Sequence, residues 1–400
     1  MGAFESDNGF HEIAIHTLYQ AGSISKPVAA VGIMVLVDKF ELDLDASVNA
    51  YLKSWQLSSE EFDADKVTIR NLLSHTAGTT VHGFMGYKKE KKVPEIVEIL
   101  DGKGNSDEVI MFNQADSIWK YSGGGYQILH LLVEDISGED FATFMKREVL
   151  DPIVMANSTY EIKLPGTCNE CARAYNRKGN AYKPDWYLYP ESAAAGLWTN
   201  TSDLAKFLKH LHTIYSGGDG ILSAESVKEL FTPVKNEYGF GFSVREKEGE
   251  LYVGHSGKNI GFSNDMAINL NTGEGYVILT DSDGAFPVIE DIKRSIPGNG
   301  VWSNRPQIVA TRIEISASEM NHFVGDYSLK MKGRPSFKAE VLLDGNRLIM
   351  KNKNAGSVQE LIPVGENTFI AKEDGSTVQF VEEEGQLFMI FDNRFQFTRK

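Results

Sequence analysis

The sequence predicts an α+β domain followed by a small all-β unit. Two observations carry this. Helical patterns gather in the first three fifths of the chain and strand patterns follow them without βαβ alternation. Beyond about Asn321 the chain changes to short alternating segments broken by Asp344-Gly345-Asn346, Gly365-Glu366-Asn367, Asp374-Gly375, Glu384-Gly385 and Asp392-Asn393, the pattern of a small β-barrel or β-sandwich. Pro297-Gly298-Asn299-Gly300 and Asn304-Arg305-Pro306 mark the change. The expected organisation is therefore a domain over 1–300, a linker over 301–320 and a β unit over 321–400.

Taking the elements in order, a helix is expected from Ser23, placed at its N-cap, with Pro27 in the first turn and aliphatic residues through Val37. Further helices are expected over 68–74, over 126–136 closed by Gly138, and over 139–149. Two more should cover 202–214 and 286–296. Four strands, 239–245, 251–255, 262–270 and 275–280, are separated by Glu248-Gly249 and Asn271-Thr272-Gly273 turns and read as an antiparallel meander.

With 400 residues, 42% hydrophobic and 24% charged, the chain has ordinary globular usage and enough length for a full core. A net charge of −15 without any Lys/Arg stripe excludes nucleic acid as a partner. The apolar run 28–37 is half of what a bilayer span needs, so no transmembrane segment is expected. Glu5, Asp7, His11, Glu12 and His16 rule a secretory signal out of the first twenty residues, and the compartment stays open, including an export signal trimmed from the N-terminus. Cys168 and Cys171 exclude a disulfide framework, cannot complete a zinc site and read as solvated loop thiols. The nine histidines form no His-Glu-x-x-His cluster, so neither a metal nor another cofactor is expected.

The chemistry concentrates at Ser23 and Lys26, three residues apart and so on one helix face. An amine there can hold the hydroxyl proton once burial brings its pKa down. Ser117-Ile118-Trp119-Lys120 has the same spacing but no buried helix after it, and is read as a decoy. His75 is read as a cationic cap on the 68–74 helix. Gly123-Gly124-Gly125 is read as a tight bend before a helix. Asn259, Asn264 and Trp198 are read as pocket-lining, surface or core residues alike.

The string Leu18-Tyr19-Gln20-Ala21-Gly22-Ser23-Ile24-Ser25-Lys26-Pro27 resembles the nucleophile region of the class C β-lactamases and their esterase and peptidase relatives. Leu72-Leu73-Ser74-His75-Thr76-Ala77-Gly78, Tyr121-Ser122-Gly123-Gly124-Gly125-Tyr126, Ala195-Gly196-Leu197-Trp198-Thr199-Asn200-Thr201-Ser202-Asp203-Leu204 and His255-Ser256-Gly257-Lys258-Asn259-Ile260-Gly261-Phe262 follow in the family's order. The resemblance spans roughly Tyr19 to Ile296. It implies a class C β-lactamase-like domain, with an antiparallel sheet flanked by helices, that acylates Ser23. Lys26 would share the proton, and Tyr121 would be general base and later acid, its phenol made acidic by the Lys26 ammonium. His255 stands first in the third motif, to polarise Tyr121 or bind a carboxylate, and equally readable as a packed strand residue. The backbone N–H groups of Ser23 and Lys258 would form an oxyanion hole, with Ser256 and Gly257 at the substrate.

Two departures bear on function. The second motif reads Tyr121-Ser122-Gly123 where the family has Tyr-x-Asn, which removes an amide for the acyl side chain and counts against β-lactam hydrolysis. Only Met1–Gly22 precede Ser23 where relatives have a strand pair, so either the chain is a fragment or naturally short, or its sheet lacks edge strands. The expected substrates are small esters or D-amino-acid amides and peptides. The alternatives are a β-lactamase, a D-alanyl-D-alanine carboxypeptidase, or a non-catalytic penicillin-recognising or sensing protein. If His255 must be neutral, activity should fall on acidification near pH ~6.5. The sequence carries no sign of oligomeric state.

Overall fold

The computed structural model describes residues 3–6, 9–164, 168, 170–297, 301–303, 310–329, 337–354, 356–372, 375–392 and 395–400. The chain separates into two compact units, Met1–Ile292 and Lys293–Lys400.

In the first unit a hairpin, β1 (Ala3–Ser6) and β2 (Gly9–Glu12), pairs within itself. The short strand β3 (Tyr19–Gln20) leads into a 3₁₀ turn, Gly22–Ile24, and then helix α1 (Ser25–Phe40). The helix is apolar on every side and buried from Ser25 to Val37, so it forms the axis of the core rather than a surface stripe. Ser23 is thus not its N-cap: it lies in the preceding turn and its hydroxyl caps nothing. Helix α2 (Ile69–Leu73) starts at a reciprocal Thr68/Asn71 capping box. Helices α3 (Ile96–Leu100) and α4 (Gly123–Ser137) follow, the latter capped by the Ser122 hydroxyl and closed by left-handed Gly138. The three glycines expected as a bend are instead the first turn of α4. Added bulk at Gly124 would stand 2.8 Å from the Thr80 carbonyl oxygen, so the glycines admit the neighbouring loop.

Helix α5 (Phe141–Met145) begins at Asp140 and runs into a π turn to Leu150. Then come α6 (Ser192–Ala195), β4 (Trp198–Thr199) paired with β3, α7 (Thr201–Tyr215) and α8 (Ala224–Leu230). The expected meander is present as β5 (Ser243–Lys247), β6 (Glu250–Asn259), β7 (Phe262–Asn269) and β8 (Gly275–Thr280), an antiparallel sheet of four strands. Strand β6 runs four residues past the expected end at His255, so His255-Ser256-Gly257-Lys258 lies inside a strand paired with Met266-Asp265-Asn264-Ser263. Helix α9 (Phe286–Ser295) follows.

Cys168 and Cys171 are not thiols but a disulfide. Cys171 is buried and forms a parallel bridge with Leu18, the residue just before β3.

The second unit holds α10 (Ala317–Asn321) and eight strands: β9 (Gly325–Leu329), β10 (Phe337–Asp344), β11 (Arg347–Asn352), β12 (Val358–Gly365), β13 (Thr368–Ala371), β14 (Thr377–Glu383), β15 (Gln386–Phe391) and β16 (Phe395–Arg399). They form a closed barrel, sealed where Thr398 and Arg399 of β16 pair with Ser328 and Tyr327 of β9. Closure leaves no free sheet edge. Its core is aromatic, with Phe323 on Phe380 at 4.6 Å and Phe369 and Tyr327 around them. Among the described residues no helix is long and apolar enough to cross a membrane.

Candidate active site

Two glycines bring the Ser23 turn and strand β6 into contact. Gly22 has φ +58°, and a Cβ there would stand 2.5 Å from the Lys258 amide nitrogen. A Cβ at Gly257 would collide with the Ala21 carbonyl oxygen. Only residues without side chains allow the Lys258 amide to lie beside Ser23. The turn is also pinned from below: Ser25 Oγ donates to Gly22 O at 2.6 Å and accepts from Leu197 N–H at 3.0 Å, while Tyr160 donates to Ser25 O at 2.8 Å.

Lys26 points back along this turn. Its Nζ lies 3.4 Å from the half-buried Ser23 Oγ and donates to Ala194 O of α6 at 2.8 Å. Lys26 is 2% exposed, and burial brings its pKa from 10.5 down to about 7. The amine is thus available as a base near neutral pH.

Tyr121 departs from its expected electronic state. Its ring centroid is 4.8 Å from Lys26 Nζ, yet burial pushes the phenol upward, and a hydrogen bond with Ser23 opposes this only in part. The acidic Tyr121 expected beside a Lys26 ammonium is not found: burial lowers the Lys26 pKa to about 7, which weakens that pull, and burial of the phenol itself keeps it protonated.

His255 is brought to Tyr121, with 3.4 Å between Nε2 and Oη. Its Nδ1 donates to the Ser256 carbonyl at 2.5 Å and its Nε2 lies 3.0 Å from Tyr238 Oη. Burial, then Lys26, brings its pKa to about 3, so it is neutral at ordinary pH and cannot produce an acidic limb near 6.5. Ser256 is exposed and Gly257 buried on β6. The Lys258 ammonium turns away to Asp283 Oδ1 at 2.5 Å and Ser263 Oγ at 3.1 Å, leaving only its backbone at the turn.

His75 corrects the sequence reading. It is buried at φ +61°, its ring 4.3 Å from that of Tyr121 and 5.0 Å from that of Tyr238, and its Nδ1 accepts the Ser122 N–H at 3.2 Å. Burial first, then Lys26, holds its pKa well below the usual histidine range, so it is a neutral support under Tyr121 and not a cationic cap. His75 lies in the family-like Leu72–Gly78 segment but reads there only as a cap, because its left-handed, buried placement is invisible in sequence, and Tyr238, a lone tyrosine, leaves no motif. Asn259 and Asn264 are structural: Asn259 donates to Gln20 Oε1 and Ala195 O, and Asn264 to Gln20 O. Trp198 is buried and pairs with Thr159. Ser117 donates to Asn113 Oδ1 and to the Gln114 carbonyl in a surface turn. Among the described residues no acid, histidine or cysteine cluster suits a metal ion.

The family model described as Beta-lactamase matches residues 7–295. Penicillin-binding protein 4* of Bacillus subtilis (strain 168) is 24% identical over 428 residues, covering 94% of this chain and 86% of that protein. Among solved structures, the octameric penicillin-binding protein homologue from Pyrococcus abyssi superposes with a TM-score of 0.61 at 21% identity, covering 96% of this chain and 88% of that one. A D-stereospecific amidohydrolase from Streptomyces gives 0.59 at 18%, covering 72% and 90%. The chain is a hydrolase of the beta-lactamase family.

Proposed function

We propose that the protein is a serine hydrolase that forms an acyl-enzyme on Ser23 with small esters or D-amino-acid amides and peptides, and releases the acyl group to water. The observation that carries this reading is a serine hydroxyl 3.4 Å from an amine that burial has made basic enough to take its proton near neutral pH. Lys26 Nζ takes the Ser23 proton as Oγ bonds to the substrate carbonyl carbon. The amides of Ser23 and Lys258 face the resulting oxyanion. Collapse breaks the bond to the leaving group, which takes the Tyr121 hydroxyl proton, and the Lys26 ammonium restores that proton. Water then repeats the cycle, giving a proton to Lys26, with Ser23 as leaving group.

Preference for these substrates over β-lactams rests on the start of α4. A Cβ at Gly123 would stand 2.9 Å from Phe84 Cε2 and 3.1 Å from the His82 carbonyl oxygen. The loop thus fills the place from which a side chain at 123 would reach the acyl group.

The test is labelling with a fluorophosphonate in parallel with Ser23→Ala, then turnover of a short nitrophenyl ester, a D-amino-acid nitroanilide and a chromogenic cephalosporin. Labelling confined to Ser23, with ester or D-anilide turnover above that of the cephalosporin, is expected. A folded protein that does not label would refute acylation on Ser23 and make a non-catalytic sensor the better reading.

A further inference from the structure

Two consecutive non-glycine residues, Asn236 and Glu237, have φ of 52° and 54° immediately before Tyr238. Left-handed backbone at such residues costs energy, and two in succession turn the chain sharply. The turn delivers a buried phenol to His255, with rings 5.6 Å from Trp119 and 5.0 Å from His75. Nothing in the acyl-transfer steps above uses it.

His255 Nδ1 faces a carbonyl, which only accepts, so Nδ1 carries the imidazole hydrogen and Nε2 offers a single lone pair. Two phenols compete for it: Tyr238 Oη at 3.0 Å and Tyr121 Oη at 3.4 Å. Each brings one proton. The shorter bond belongs to Tyr238, and the Tyr121 contact is longer than an ordinary O–H···N bond.

We propose that Tyr238 is a positioning residue for the acyl transfer: its phenol occupies the His255 Nε2 lone pair and so leaves the Tyr121 hydroxyl proton for the leaving group. This rests on the proposed serine hydrolase reading. Without the Tyr238 hydroxyl, Tyr121 donates to His255 instead, and its proton is withheld where the leaving group needs it. Leaving groups differ in that need. An amide nitrogen departs only as it is protonated, whereas nitrophenolate departs as an anion.

The experiment compares kcat/KM for a D-amino-acid amide and the corresponding nitrophenyl ester in the wild type, Tyr238→Phe, His255→Gln and the double variant. Tyr238→Phe removes one oxygen and keeps the ring packing. It is expected to lower the amide value at least about tenfold more than the ester value, within the range of a general-acid contribution. In the His255→Gln background it is expected to add no such bias. Equal losses on both substrates, no loss, or a bias that persists without His255 would each overturn the proposal. Histidine ¹⁵N spectra give a readout that needs no turnover, with His255 assigned by its loss in His255→Gln. An Nδ1-protonated ring whose Nε2 resonance moves in Tyr238→Phe is expected, and an Nε2-protonated ring would overturn it. Failure of Ser23 to label would sink the hydrolase reading, while these spectra still decide the Tyr238 bond.

Discussion

Replacing Lys26 by methionine should make the protein inactive and, below neutral pH, more stable. The lysine titrates at 10.5 when exposed and at about 7 in the fold, and burial is the cause. A lysine with a depressed folded pKa is protonated more readily in the unfolded chain. It therefore opposes folding fully below pH 7, and the penalty fades as pH rises from about 7 toward 10.5. At about 1.4 kcal/mol per pH unit, the penalty at pH 6.5 is on the order of 5 kcal/mol. Methionine of similar length removes it, but leaves the Ala194 carbonyl without its 2.8 Å donor, a loss of about 1–3 kcal/mol. The variant should gain roughly 2–4 kcal/mol at pH 6.5. That gain should shrink by about 3.5 kcal/mol by pH 9.5, where lysine is neutral in the fold and closer to neutral when unfolded. Urea denaturation of both proteins at the two pH values measures this directly. A variant that is less stable at pH 6.5, or whose advantage does not change with pH, would refute the claim that burial holds Lys26 neutral. Its acylation by a fluorophosphonate should fall at least about 100-fold at every pH.

The acylation rate of the wild type should rise with pH to a midpoint near 7, set by Lys26, and the His255→Gln variant should keep that midpoint because His255 is already neutral above about pH 3. A limb that disappears with His255 would contradict this assignment. Gly257→Ala should push β6 off the Ala21 carbonyl, slow Ser23 labelling by about 100-fold and lower stability by about 1–3 kcal/mol in urea. Labelling at the wild-type rate would show that the close approach is not needed. Gly123→Asn alone should lose activity, because its Cβ meets Phe84, whereas Gly123→Asn with Phe84→Ala should raise cephalosporin acylation relative to ester turnover by about tenfold. An unchanged ratio would remove the loop from the account of specificity.

The large features of the fold were legible because each follows from a local rule. Sustained apolar character marked α1, Gly138 marked the end of α4, and Gly-centred turns marked the barrel hairpins. Ser23, Lys26, Tyr121 and His255, singled out through the family resemblance, lie together in the fold. The fate of the cysteines was not legible, because Cys171 is set by its pairing with Leu18, far away in sequence. The end of β6 was misplaced because Ser256 and Lys258 are exposed polar residues, and only pairing with β7 keeps them in a strand.

The states of the site residues resisted sequence reading for one physical reason. Charge on Lys26, His75, His255 and Tyr121 depends on how deeply each is buried, and burial comes from segments hundreds of residues apart. A motif names the side chain but not its dielectric surroundings. The same burial that turns Lys26 into a base keeps both histidines neutral and Tyr121 protonated, so one apolar enclosure sets which group takes the proton and which gives it. Two of its residues break local rules: His75 is left-handed, and Lys26 is buried without a carboxylate among its hydrogen-bond partners. Such violations cost stability and persist where the arrangement is used, and both of these lie against Tyr121, the His75 ring at 4.3 Å and Lys26 Nζ at 4.8 Å from its ring.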